Sequence, residues 1–198
     1  PKYKWVTAHV GYSSMNFSPY TLAGHIFRGA GVELTPGKFH FSAMYGRLRK
    51  AVKVDTTRNS VPAFQRDGFG FKTGYRDGNN YAEVSLFHGK DDVNSISMLP
   101  ADDSLLPEEN LVMSISAGKS IFEKITLTTE FASSAITRDV RVESGNERAP
   151  FSSVGGLFTT RLSTSYYNAF KGGLNYLGTN YTVGLGYERI APGYRTHG

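Results

Sequence analysis

The residues best suited to bind a metal ion lie in one acidic stretch of the chain. Asp91, Asp92 and Asn94 stand close together, and further acidic residues follow at Asp102, Asp103, Glu108 and Glu109. Carboxylate and amide oxygens are the ligands that calcium prefers in proteins. Asp91, Asp92 and Asn94 are therefore candidate calcium ligands, and a solvated acidic loop is the alternative interpretation.

A second stretch is basic and could bind phosphate groups. It contains Arg47, Arg49, Lys50, Lys53, Arg58 and Arg66. Guanidinium and ammonium groups form charge-assisted hydrogen bonds with phosphate oxygens. The first four of these residues are the candidates for such contacts, and a contribution to solubility alone is the alternative.

Catalytic motifs are weak in this sequence. The five histidines are scattered without zinc-ligand spacing, at His9, His25, His40, His88 and His197. The chain has no cysteine, which excludes a thiol nucleophile, a cysteine metal site and a disulfide scaffold. No Gly-x-Ser-x-Gly motif is present, although His40 or His88 could still lie beside a serine. We therefore expect no enzymatic activity and no cofactor.

A nucleotide site is also not expected. Residues 117–120 read Ala-Gly-Lys-Ser, like the end of a phosphate-binding loop, but Met113 occupies the position of the first required glycine. The net charge of +5 is spread along the chain, so nucleic acid is not an expected partner.

The elements that position these residues show a two-residue alternation of apolar and polar side chains, which is typical of β-strands. The alternating segments span about 4–12, 26–34, 39–48, 68–76, 81–89, 110–118, 125–131, 168–177 and 181–190. All eight prolines fall outside them, as expected because proline cannot donate a hydrogen bond to a sheet. The pattern predicts one all-β domain over residues 1–198.

The connections between the predicted strands alternate strictly between short and long. The short ones are residues 35–38, 76–80, 119–124 and 178–180, and the long ones are 13–25, 49–67, 90–109 and 132–167. Pro-Gly and Asp-Gly sequences favour tight turns. The predicted cross-strand pairs are Tyr75 with Ala82, Phe71 with Leu86, Ala117 with Ile125, Met113 with Thr129, Leu174 with Val183, and Tyr176 with Tyr181.

Short turns at one end and long loops at the other are typical of an antiparallel up-and-down transmembrane β-barrel of the outer-membrane kind. In such a barrel the Phe, Tyr, Leu and Val face would meet lipid. The opposite face carries glycine and hydroxyl residues with Lys72, Glu83, Glu130 and Glu188, which we expect to face the lumen. Lys72 and Glu83 would be diagonal neighbours and could form an ion pair.

The number of predicted strands is odd, whereas bacterial single-chain barrels normally have an even number. A tenth strand could lie within residues 155–163. The alternative is that the chain is a segment of a larger barrel, with residues 191–195 beginning another long loop.

Five stretches of the sequence resemble a family of large outer-membrane β-barrel proteins from Bacteroidota-type bacteria. They are Gly11–Gly24, Phe41–Arg47, Phe87–Ile96, Glu109–Val112 and Tyr187–Arg195. The resemblance implies a Gram-negative outer-membrane location and a barrel that continues beyond a stretch like Tyr194–Gly198. It supplies no catalytic motif.

These observations favour an integral outer-membrane β-barrel that acts as a transport channel, porin-like, or as a scaffold for a surface or secretion complex. Its expected partners are outer-membrane lipid and lipopolysaccharide, and other outer-membrane or periplasmic proteins. The candidates for contacts with lipopolysaccharide phosphates are Arg47, Arg49, Lys50 and Lys53. Two alternatives stay open. One is a soluble β-barrel with an apolar ligand inside, and the other is an outer-membrane lipid hydrolase with a serine and a histidine in hydrogen-bond contact.

Overall fold

The computed structural model describes residues 2–53, 60–96, 105–145 and 156–198. These residues form one antiparallel sheet in which each strand pairs with the next along the chain. The strands are β1 (Lys2–Tyr3), β2 (Val6–Asn16), β3 (Ala23–Leu34), β4 (Phe39–Arg49), β5 (Gln65–Asp77), β6 (Asn80–Asp92), β7 (Glu109–Ile121), β8 (Ile125–Thr137), β9 (Thr164–Leu177) and β10 (Thr182–Ile190). The all-β, up-and-down prediction is confirmed.

The nine long strands correspond to the nine predicted segments, with several strands extending further than expected. β1 is an additional strand of only two residues. The tenth strand suggested within residues 155–163 is not formed by the described part of that stretch, where Arg161 makes only an isolated bridge with Ser144. Gly155 lies outside the described residues. In the described ranges, no helix is long and apolar enough to cross a membrane.

The predicted strand pairing is right for one hairpin and wrong for two. Tyr75 lies opposite Ala82 and Phe71 opposite Leu86, as expected. Ala117 lies opposite Thr129, four residues from the predicted partner, because the strands extend to Ile121 and Ile125. The short connection that remains adopts positive φ angles at Phe122 and Glu123, which permits so tight a turn.

The last hairpin is shifted by two residues from its predicted register. Leu174 lies opposite Leu185, and Tyr176 lies opposite Val183. The turn therefore contains four residues and is closed by a hydrogen bond from Gly178 N to Tyr181 O at 2.8 Å. Both register errors are even numbers of residues, so every side chain stays on its predicted face.

One face of the sheet, here called the inner face, is covered by residues 17–22, the connection between β2 and β3. Tyr20 lies four residues beyond β2, so its backbone reaches only about 14 Å from that strand. Its hydroxyl nevertheless donates a hydrogen bond to Glu188 on β10. Eight strand spacings separate β2 from β10, about 38 Å along a flat sheet. The sheet must therefore curve around residues 17–22.

An apolar core fills this curve near the long connections. It consists of Met15, Phe17, Leu22, Phe27, Met44, Leu48 and Phe87. The connection in residues 13–25, expected to be a long external loop, is thus only six residues long and is buried inside. Its apolar residues Phe17 and Leu22 cause this placement, because their burial removes large hydrophobic surface from water.

The last eight residues, 191–198, also lie against the inner face and are here called the tail. The Tyr194 hydroxyl donates to Tyr20 O at 2.7 Å, and the Thr196 hydroxyl donates to Thr21 O at 2.6 Å. The Ser134 hydroxyl on β8 donates to Arg195 O at 2.7 Å. Residues 191–195 were expected to begin another long loop; the tail forms no strand, and it lies against the inner face.

The curved sheet is not closed by the described residues. β1 pairs only with Val6 and Thr7 of β2, and β10 pairs only with β9. All nine residues of β10 are exposed. The up-and-down sheet is therefore present, while the closed barrel expected from the sequence is not formed within this part of the chain.

Candidate functional site

The opposite face of the sheet, here called the outer face, carries a band of exposed apolar side chains. Phe71 on β5 is 45% exposed and Leu185 on β10 is 71% exposed. Similar side chains project from the other long strands: Val10, Tyr12, Ile26, Phe39, Phe41, Tyr45, Val84, Ile115, Leu127, Phe131, Phe170, Leu174, Val183 and Tyr187. This apolar band is the largest feature of the described surface that needs a functional explanation.

Charged residues mark both limits of the apolar band. On β5, Asp67 and Asp77 lie on the outer face, and the outward residues between them are Phe69, Phe71, Thr73 and Tyr75. Ten residues of strand extend over about 33 Å, which projects to about 25 Å at a strand tilt of about 40°. That height equals the apolar band of a transmembrane β-barrel.

The connection between β8 and β9 covers the outer face beyond the band. Phe158 from this connection packs against Leu111 on β7 and Ala135 on β8. Thr160 and Tyr166 join their hydroxyl groups at 3.0 Å beside them. The exposed apolar surface on these strands therefore runs from this covered patch to the short turns.

The inner face has the opposite chemistry near the short turns, where it is polar and ionic. Lys72 Nζ lies 2.9 Å from Glu83 Oε2, which confirms the expected diagonal ion pair. Arg76 donates a second hydrogen bond to Glu83 at 2.5 Å, and His40 Nε2 lies 3.5 Å from the same carboxylate. Since Glu83 is buried, Lys72 and Arg76 supply the interactions that water would provide to an exposed carboxylate.

The other two residues expected on this face are also found there. Glu130 on β8 and Glu188 on β10 each lie directly opposite Lys171 of β9. Residues 17–22 approach this ionic surface through Lys72, which donates to Phe17 O at 2.7 Å, and through the hydroxyl of Tyr20. The polar inner face thus carries the charged residues and also binds residues 17–22.

The calcium prediction is wrong for Asp91, Asp92 and Asn94. Arg66 donates to both carboxylate oxygens of Asp91 at 2.7 and 2.8 Å, and Arg49 lies 3.1 Å from each of them. Asp92 accepts a hydrogen bond from the backbone of Asn94. The two guanidinium groups take the place of a cation, so these residues do not form a calcium site.

No metal-ion cluster of histidine and carboxylate groups occurs in the described ranges. Asp102 and Asp103 lie outside those ranges. Glu109 is buried on the outer face, where its Oε1 lies 2.9 Å from His88 Nε2. His88 is therefore paired with a carboxylate, and the pairing with serine suggested for His40 or His88 is not found among the described residues.

Glu108 connects the Asp91 cluster to the tail. Arg66 donates to Glu108 at 3.0 Å, and the backbone N–H of Glu108 donates to Asp91 at 3.0 Å. His197 Nε2 lies 3.3 Å from Glu108 Oε2. Hydrogen bonding with His197, then the charges of the protonated imidazole and of Arg66, outweigh burial and lower the pKa of Glu108 to about 2. Burial lowers the pKa of His197, so a neutral imidazole meets a carboxylate anion at neutral pH.

The predicted phosphate-binding residues divide into two groups. A shift in register between Arg47 and Arg49 turns Arg49 toward Asp91, so Arg49 is already neutralised. Arg47 stays on the outer face, and Lys50 and Lys53 are in the connection that follows β4, both exposed. Arg28 on β3, which the sequence did not single out, lies directly opposite Arg47.

One serine–histidine contact exists on the inner face of β2. His9 Nδ1 lies 3.0 Å from Ser13 Oγ, and His9 Nε2 lies 3.6 Å from Glu33 Oε2. Residues four apart on a straight strand are about 13 Å apart. Gly11 between them has φ +88°, which bends the strand and brings the two side chains together.

Comparisons with known proteins add no functional assignment. No family model, curated protein or solved structure matches this chain. The apolar band, the ionic inner face and the residues that cover them are the features that indicate a function.

Proposed function

We propose that this chain forms the wall of an integral outer-membrane β-barrel in a Gram-negative bacterium, and that it serves as a scaffold. The observation that carries the proposal is the polarity of the two faces. Apolar side chains such as Phe71 and Leu185 are exposed, whereas the Lys72–Glu83 ion pair is turned inward. On β5 the outer face between Asp67 and Asp77 is about 25 Å high and carries no charge, which fits the hydrocarbon core that such barrels cross.

The long-loop half of the inner face favours the scaffold over an open channel. Residues 17–22 and the tail fill this half, and Phe17, Leu22 and Phe87 are almost completely buried. Only the half near the short turns is polar and open, with a cavity of about 430 Å³ lined by residues that include His40, Lys72 and Glu83. A barrel with this interior is open at the short-turn end and blocked at the long-loop end, and this blocked cavity is here called the blind vestibule.

Tryptophan scanning tests the membrane-facing assignment at adjacent positions. Trp5 is the only tryptophan, so Trp5→Phe provides a silent background. Ile115→Trp and Ser116→Trp then place one fluorophore at the same depth on opposite faces of β7. In vesicles of brominated phospholipid, Ile115→Trp should be quenched strongly and Ser116→Trp weakly. Equal quenching, or failure of the chain to insert, would contradict the proposal.

Planar-bilayer recording separates the scaffold from the channel. We expect inserted wild-type protein to show no steady conductance, because residues 17–22 and the tail occupy the inner face. Phe17→Ala with Tyr20→Ala should raise the frequency of opening. Steady ohmic conductance of the wild type would refute the blind vestibule while leaving the membrane assignment intact.

The soluble-barrel alternative requires the apolar residues to line a dry interior. The exposure of Phe71, Val183 and Leu185 opposes it. Extraction of the native protein from membranes without detergent is the result that would restore this alternative.

The His9–Ser13 contact is the one observation that favours a second candidate, a lipid hydrolase. Ser13 would be the nucleophile and His9 its base, while Glu33 Oε2 lies 3.6 Å from the other ring nitrogen of His9, beyond hydrogen-bond distance. All three groups lie on the inner face, away from the apolar band, so a membrane lipid would have to leave the bilayer to reach them. Loss of phospholipid hydrolysis in Ser13→Ala, with Ser14→Ala as control, would establish this activity.

A further inference from the structure

Three residues form a row across the outer face at its long-loop limit. Tyr12 on β2 lies opposite Arg28 on β3, and Arg28 lies opposite Arg47 on β4. The Arg28 guanidinium carbon is 5.7 Å from the centre of the Tyr12 ring. The row therefore presents two adjacent cations beside an exposed aromatic side chain.

Two arginines directly opposite each other destabilise a sheet unless an anion lies between them. In the described residues neither Arg28 nor Arg47 forms an ion pair within 4.0 Å. Asp67 lies opposite Arg47 on the next strand, but its carboxylate accepts a hydrogen bond from Gln65 at 2.8 Å. The charge of Asp67 offsets part of the repulsion from its place beyond Arg47, and no described carboxylate pairs with either guanidinium group.

The same row borders a cleft of about 510 Å³. Its lining includes Tyr12, Ile26, Arg28, Arg47 and Lys50. Ile26 and Tyr12 are largely exposed, at 64% and 76%. Val10 on β2 and Tyr45 on β4, the next outward residues toward the short turns, are also largely exposed, so the cationic row borders the apolar band directly.

We propose that this cleft binds the phosphorylated headgroup of an outer-leaflet lipid of the lipid A type, with Arg28 and Arg47 holding one phosphate between them. A phosphate accepts hydrogen bonds from both guanidinium groups and neutralises their mutual repulsion. Lys50 supplies a third cation at the cleft, while Tyr12, Val10 and Tyr45 contact the first part of the acyl chains. The inference rests on the proposed membrane location and identifies the lipid that the wall would bind.

The position of the cleft favours a lipid over a free phosphate ion. It lies at the end of the strands where the long connections emerge, which is the outer side of an outer-membrane barrel. A soluble anion would need only the cations, whereas this cleft also exposes apolar groups toward the band. An outer-leaflet lipid has its phosphate at the level of the cations and its hydrocarbon at the level of the apolar band.

The test compares two variants with equal loss of charge in lipid nanodiscs that contain the inserted full chain. Arg28→Gln with Arg47→Gln removes the arginine pair, and Lys119→Gln with Lys124→Gln removes two exposed cations at the short-turn end. Binding of diphosphoryl lipid A should weaken at least tenfold in the arginine variant and stay within twofold in the control. Lipid A without phosphates should bind wild-type protein as weakly as the arginine variant binds diphosphoryl lipid A.

Each other outcome contradicts a defined part of the inference. Unchanged binding by the arginine variant would refute the site. Competition by inorganic pyrophosphate at the concentration at which lipid A binds would assign the cleft to a soluble anion and overturn the lipid assignment. Failure of every variant to enter nanodiscs would instead refute the proposed function, and normal insertion of the arginine variant, seen as heat-modifiable migration, keeps the two failures separate.

Discussion

Replacing Asp91 with asparagine should destabilise the protein strongly, although the side chain keeps its shape. The carboxylate is almost completely buried and accepts two hydrogen bonds from Arg66 at 2.7 and 2.8 Å. It also accepts two from Arg49 and one from the backbone of Glu108. Asparagine removes the negative charge and turns an amide N–H₂ group toward the guanidinium groups.

The magnitude follows from the burial of the remaining charge. Removing one partner of a buried ion pair costs about 3–5 kcal/mol, because the other charge stays buried without compensation. Arg66 keeps its contact with Glu108, so we expect about 3 kcal/mol, at the lower end of that range. This corresponds to a change of about 150-fold in the unfolding equilibrium.

A surface ion pair of similar geometry provides the control. Lys38 Nζ lies 2.6 Å from Asp77 Oδ2, but both side chains are about half exposed. Asp77→Asn should therefore cost much less than Asp91→Asn, because solvent screens the exposed pair. The measurement is the free energy of unfolding in urea from lipid vesicles for both variants. Equal losses would show that burial of the Asp91 cluster does not determine its contribution.

Three further predictions concern the tail, the inward connection and the apolar band. Glu108 has a pKa of about 2 against an ordinary 4.5, so the stability it contributes is complete above pH 4.5 and is lost as the pH falls through 2. Unfolding titrations should show a loss of about 3 kcal/mol over this range in the wild type and no such loss in Glu108→Gln. A Cβ at Gly70 would lie 2.5 Å from Cε2 of Phe17, so Gly70→Ala should displace residues 17–22, cost about 1–3 kcal/mol in urea unfolding and raise conductance. Phe71→Arg should cost about 2–4 kcal/mol in vesicles and Phe39→Arg, near the turn, about 0–1, and equal costs would contradict the depth of the band.

The wall of the structure could be predicted from sequence because it depends on local periodicity. Alternation placed Phe71 on one face and Lys72 on the other, and the ion pair between Lys72 and Glu83 followed from the register of one Asp-Gly hairpin. Turns were harder, because tight turns of different length satisfy the same alternation. The Ile121–Ile125 hairpin shows this, since its shift of four residues changes no face.

The interior could not be predicted from the same pattern. Phe17 and Leu22 lie in a stretch with turn-like residues, and no periodicity indicates whether such a connection points out or in. Asp91 was a candidate calcium ligand, with a solvated acidic loop as the alternative, because its acidic neighbours are adjacent in sequence. Extending the β5–β6 register by one pair beyond Asp67 and Lys90 places Arg66 opposite Asp91, a signal that was present in the sequence.

The contacts between residues 17–22 and the tail also set an order of folding. Tyr194 and Tyr20 are 174 residues apart in the chain, so their hydrogen bond closes a loop that contains all the intervening hairpins. Neighbouring strands, by contrast, close short loops and assemble quickly. Each molecule would therefore pass through a stage in which the sheet is formed but its inner face is uncovered. The packing of residues 17–22 and the tail against that face would be the slow last step of folding.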